Sequence, residues 1–96
     1  MSDKNQEGRG FVQLCDTALL KELQGETVVL DLRTEAYFAL DAIGSDILHT
    51  ATQQPDLKHA VRVLVERYEV EEDILEEDIR ALLTTMRDEG LITGTW

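Results

Sequence analysis

The chain has 96 residues, enough for one hydrophobic core and one domain. Its formal net charge of −11 opposes binding to nucleic acid or anionic lipid and favours a basic peptide or protein partner. The lone cysteine, Cys15, excludes an internal disulfide and fits a reduced, cytoplasmic setting, and no apolar run approaches the ~20 residues of a membrane span.

Residues 1–10, MSDKNQEGRG, are polar and aperiodic; they read as a disordered tail rather than a signal peptide, ahead of a single domain over 11–96. Phe11 to Leu14 fits a short extended arm. Asp16 to Gln24 supports two readings. Leu19, Leu20 and Leu23 sit at helical spacing, yet Leu19 and Leu23 also share one face of a strand closed by a Gly25-Glu26 turn. The strand is preferred, because a two-stranded hairpin alone is marginal and a third strand supports it.

Thr27 to Leu32 alternates, with Val28, Leu30 and Leu32 on one face and Thr27 and Asp31 on the other. Arg33 to Ala36 is a polar turn, and Tyr37-Phe38-Ala39-Leu40 returns. Phe38 reads as a core residue; Tyr37 is equally compatible with ligand contact and with the sheet surface. Nothing after Leu40 is apolar enough to pair beyond it, so Tyr37–Leu40 becomes a candidate sheet edge. Such an edge offers unpaired backbone donors and acceptors, here along Ala36–Leu40, to an extended peptide.

After Leu40 the period becomes helical. Asp41 caps a first helix to about Gln53 with Ile43, Ile47 and Leu48 on one side. Gln54-Pro55-Asp56 separates it from a second, in which Leu57, Ala60, Val61, Leu64, Val65 and Tyr68 repeat on one face. The third helix runs from about Glu71 to Glu89 with Leu75, Ile79, Leu82, Leu83 and Met86 as its core stripe. Gly90 stops it, and Leu91-Ile92 adds a short extended segment. Strands followed by three helices make an α+β fold.

Carboxylates crowd the start of the third helix, where they complement the helix dipole. Ile74, Asp78, Ala81 and Thr85 form a stripe bordering its core face, with small side chains where bulky ones would close a groove. With that stripe beside the Tyr37–Leu40 edge, the gap admits one extended peptide, and Asp78 meets a basic residue or a backbone donor. A solvated carboxylate is the plainer alternative for Asp78. Catalytic and metal chemistry find little support. His49 and His59 lie on different helices without cysteines nearby, Cys15 lacks cationic neighbours, and no glycine-rich phosphate loop precedes a helix.

From Gly25 to Ile92 the chain resembles the PqqD-like family, small recognition domains for the leader peptides of ribosomally made, post-translationally modified peptides. The resemblance rests on VVLDL at 28–32, YFAL at 37–40 with Asp41, Gly44 with Ile47, RYEV at 67–70 and EEDIRALLTTMRDEGLI at 76–92. It implies a winged helix-turn-helix-like fold, a three-stranded antiparallel sheet followed by three helices. It also implies that a leader docks antiparallel on the last strand of that sheet, beside the third helix. A stand-alone chain this short is most similar to the lasso-peptide version, where the bound precursor meets a leader peptidase and then a cyclase, and where the leader carries a tyrosine and a proline held in an apolar pocket.

Three positions depart from the family pattern. Glu35 stands where glycine is usual, Asp41 replaces asparagine, and Leu48-His49 replaces an aromatic. The expectation is therefore a non-catalytic leader-binding adaptor without cofactor. Backbone groups of Ala36–Leu40 would supply affinity, and Leu32, Tyr37, Ile74, Ala81 and Leu82 apolar selectivity. Rival readings are a winged-helix DNA regulator, which the charge opposes, and a subunit whose partner enzyme holds the chemistry.

Overall fold

The computed structural model describes residues 10–96. Of the expected tail, residues 1–9 lie outside the described residues, whereas Gly10 is tied in by an N–H donated to the Thr52 carbonyl. Strand β1 (Val12–Leu14) pairs antiparallel with β5 (Ile92–Gly94), which makes a separate two-stranded ribbon. A fifth strand thus follows Leu40, but it pairs with the arm at the chain's start and leaves the main sheet alone. Strands β2 (Ala18–Leu23), β3 (Glu26–Asp31) and β4 (Tyr37–Leu40) form that sheet in the order β2-β3-β4.

The ambiguous Asp16–Gln24 segment is strand, as preferred, but its turn sits one residue earlier than expected. Leu23 pairs with Glu26, and Gln24 and Gly25 form the loop at φ 46° and 86°. Two successive left-handed residues match the right-handed twist of the flanking strands, and Gly25 serves the second position without a Cβ penalty.

Helices α1 (Ala42–Ala51), α2 (Leu57–Arg67) and α3 (Glu72–Asp88) follow. Asp41 Oδ1 accepts from the Gly44 N–H at 2.8 Å and Asp56 Oδ1 from the His59 N–H at 2.9 Å, so both expected caps form. The core joins Val29, Leu48, Leu64, Ile79, Leu83 and Met86 across sheet and helices, with Val12 and Ile92 of the ribbon. Tyr68 OH donates to Asp46 and ties the end of α2 to α1. Ile43 departs from its expected place and is exposed, as α1 turns Ile47, Leu48 and Ala51 into the core instead.

The alternation along β3 holds, but its less apolar face is the buried one. Thr27, Val29 and Asp31 point inward, while Val28 and Leu30 face out. Trp96, at the end of the chain, is half-buried. Its Nε1–H donates to Thr84 Oγ1, Arg87 stacks 4.3 Å from its ring centre, and Phe11 meets it edge-on.

The turn between β3 and β4 carries Glu35 at φ 67°, the left-handed conformation that glycine adopts freely. Glu35→Gly is therefore expected to raise stability by up to about 1 kcal/mol, less whatever backbone freedom glycine adds to the unfolded chain. Urea unfolding of the two chains checks it; a loss of stability would mean that the Glu35 side chain holds the turn.

Candidate functional site

Strand β4 lies at the edge of its sheet. Asp31 N–H donates to the Ala36 carbonyl at 2.8 Å, and Val29 pairs with Phe38 and Thr27 with Leu40. Antiparallel bonding alternates, so Phe38 and Leu40 spend their backbone groups on β3, while Ala36 gives β3 its carbonyl and donates its N–H to Thr34 Oγ1. Tyr37 and Ala39 turn their N–H and C=O groups the other way, towards the open edge. The arm at Phe11–Leu14 pairs with β5 and leaves this edge free among the described residues.

A groove of about 400 Å³ runs between the start of β4 and the C-terminal half of α3. Ala36, Tyr37 and Phe38 line one wall, and Thr85 and Glu89 the other, with Leu91 among the lining residues. Thr85 and Glu89, at the C-terminal end of α3, thus lie beside the beginning of β4. Ala81, Asp78 and Ile74 continue from Thr85 towards the start of α3, over about 16 Å at 1.5 Å per residue.

The expected site residues divide into groups. Ala36, Tyr37, Phe38 and Thr85 come together around the groove. Ala39 contributes its backbone at the edge, and Leu40 turns its side chain into the core. Asp78 and Ala81 are exposed on the continuing stripe, and no ion pair among the described residues uses Asp78. Ile74 lines a separate shallow hollow of about 310 Å³ with Asp73, Glu77 and Arg80. Leu82 is half-buried and packs against the core. Leu32 is exposed past the end of β3, its N–H donated to Thr17 on the β2 side, and it is not brought to the groove. Tyr37, left open between two roles by sequence, is 71% exposed, so its ring costs nothing to offer to another molecule.

Sequence reasoning missed Asp31, Arg33, Thr34, Glu89 and Leu91 as groove residues. Asp31 is nearly buried, and its carboxylate receives the Arg33 side chain through Nε at 3.2 Å and Nη2 at 3.1 Å. The hydrogen bond from that guanidinium, then the one from the Arg33 backbone N–H, holds the Asp31 carboxyl below the usual carboxylate range. The pair therefore supports the fold fully above the unfolded-chain value near pH 4 and fails as pH falls through the lower folded value. The available signal was an aspartate at an inward position of a strand, two residues from an arginine.

Among the described residues no group of three His, Cys, Asp or Glu side chains is placed to hold a metal. No helix among the described residues is long and apolar enough to cross a membrane. No curated protein matches the chain. Two solved structures share its fold. TbiB1, in complex with the TbiA(beta) leader peptide, is 28% identical, with a TM-score of 0.78 over 86% of this chain and 96% of that one. A lasso peptide synthetase B1, complexed with the leader peptide, is 24% identical, with a TM-score of 0.80 over 88% of this chain and 99% of that one. Residues 26–92 match the family model described as coenzyme PQQ synthesis protein D (PqqD). With more than two-thirds of its length matched, ordered as sheet and then three helices, the chain belongs to the PqqD family.

Proposed function

We propose that this protein is a non-catalytic adaptor that takes the leader segment of a ribosomally made precursor peptide as a fourth, antiparallel strand on β4. The observation that carries the reading is the open edge at Tyr37 and Ala39 beside a groove walled by α3. An added strand there gains main-chain hydrogen bonds for affinity, while alternate side chains enter the groove for selectivity. The leader peptide in the TbiB1 complex supports the same reading for this chain.

The adaptor would then present the bound precursor to a leader peptidase, and afterwards to a cyclase, in a lasso-peptide pathway. The outer face of the sheet supports a protein partner. Leu19, Leu30 and Tyr37 stand directly opposite one another across the three strands, with Lys21, Val28 and Ala39 in the next row. Leu19 and Tyr37 are exposed, and among the described residues of the three strands Lys21 and Glu26 are the only charged side chains on this face. For a chain of net charge −11, that is a neutral, apolar surface, and it is continuous with the edge where a guest strand would lie.

Isothermal titration with the leader segments of candidate lasso precursors, the TbiA(beta) leader among them, tests the reading: saturable one-to-one binding to one of them is expected, and no binding by any would refute it. In the same titration Asp78→Arg is expected to weaken the leader several-fold without lowering the melting temperature. The carboxylates at the start of α3 steer basic leader residues mainly through solvent, so the effect should shrink as salt rises. Unchanged affinity at low salt would remove Asp78 from the site.

A further inference from the structure

One end of the groove is closed by a cation held in a fixed place. The Arg33 guanidinium grips Asp31 through Nε and Nη2, and the Arg33 backbone N–H also donates to Asp31 Oδ1 at 2.9 Å. On its other side Nη2 presses on the end of α3, where a Cβ added to Gly90 would come within 2.7 Å of it. Asp31 is 7% exposed at its side chain and Arg33 55%, so the pair has a buried half and an open half. Nη1 makes no hydrogen bond among the described residues, and Arg33 is the one basic residue lining the groove.

Direction gives this end a meaning. Strand β4 runs away from Arg33, so a guest antiparallel to it finishes beside Arg33 with its C-terminal side. Asp78 and the other carboxylates near the start of α3 lie up the helix from the end that Arg33 adjoins. Building on the leader-binding reading, we infer that Arg33 binds a carboxylate side chain at the C-terminal end of the docked segment. With the acidic start of α3 at the other end, it fixes the direction and register of that segment. A guanidinium presents five donors in a rigid fork, enough to serve Asp31 and a second carboxylate together. Asp31 already holds it, with Gly90 close beside, so little side-chain freedom is lost when the guest arrives. Glu89 lines the same end and opposes a guest carboxylate. It makes no ion pair with Arg33 and is exposed, so solvent weakens that opposition more than it weakens a direct hydrogen bond from Nη1.

Selection of phage-displayed random twelve-residue peptides, on the wild-type chain and on the double variant Asp31→Asn/Arg33→Gln, tests this. The double variant removes the cation without leaving a buried carboxylate unpaired, and its melting curve reports whether it folds. Wild type is expected to enrich Asp or Glu at one position in the C-terminal part of the consensus, and the variant to keep the apolar pattern but lose that preference. For a selected peptide, Glu→Gln at that position should weaken binding to wild type roughly tenfold and leave the variant unaffected, a direct hydrogen bond to a charged group being of that order. This peptide-side change decides the matter even where the variant unfolds. An apolar consensus without an acidic position, or an acidic preference that the variant retains, overturns the role of Arg33 and leaves the adaptor reading standing. No enrichment by the wild-type chain overturns both.

Discussion

Replacing Ala39 with proline is expected to abolish most leader binding while leaving the domain folded. The Ala39 N–H points away from β3, so proline removes no hydrogen bond from the sheet; edge strands tolerate proline at such positions. Phe38 before it is already extended, as a residue preceding proline prefers. A guest strand, in contrast, loses a donor and meets the ring, leaving one of its carbonyls unpaired. An unmade hydrogen bond of this kind costs about 1–3 kcal/mol, or roughly fivefold to a hundredfold in affinity. Phe38→Pro provides the contrast. Its N–H belongs to the β3–β4 ladder, and its ring packs on the core, so that variant should lose stability first. Titration calorimetry with paired melting curves distinguishes the two. Wild-type affinity in Ala39→Pro would mean that the leader does not lie along β4.

The second large effect is expected on the opposite side of the sheet. Leu19→Glu places a carboxylate in the row of Leu19, Leu30 and Tyr37, on a side chain that is 52% exposed. Folding should be almost indifferent, because surface changes away from buried groups alter stability by about 0.5 kcal/mol or less. Leader affinity should hold within about twofold, since Leu19 lies on β2, at the opposite edge of the sheet from β4, and is not among the residues lining the groove. Recruitment of the leader peptidase should fall at least tenfold, because an apolar contact would then have to bury an unpaired charge. A pull-down of the peptidase with the leader-loaded adaptor, and the rate of leader cleavage, read this out. Cleavage at the wild-type rate would remove the outer face from the partner interface.

What the sequence made legible, and what it hid, follows from how far apart the interacting residues are. The edge at Tyr37–Leu40 was readable because a period of two gives way to a helical period at Asp41, within a few residues. The helix caps at Asp41 and Asp56 were readable for the same reason: each acts on an N–H three residues away. The groove's closed end was not, because Arg33 is placed by Gly90, which only the packing of α3 brings near. The buried face of β3 was obscured by Thr27 and Asp31, which look like surface residues until Arg33 is seen to neutralise Asp31. The seat of Trp96 was not legible, because its partners Phe11 and Thr84 come from far along the chain and from α3. The shift of the β2–β3 turn by one residue came from Gly25, which suits either position of a two-residue loop.

The most direct test is amide hydrogen exchange of the labelled chain at Tyr37, Phe38 and Ala39, with and without the leader segment. In the free chain Phe38 should be protected by the β3–β4 ladder, and Tyr37 and Ala39 should exchange freely. At leader concentrations about a hundred times the dissociation constant, Tyr37 and Ala39 should slow by about a hundredfold as their N–H groups enter a new ladder. A bound leader that leaves both amides exchanging at the free rate, or amides already protected without it, would contradict strand addition at this edge.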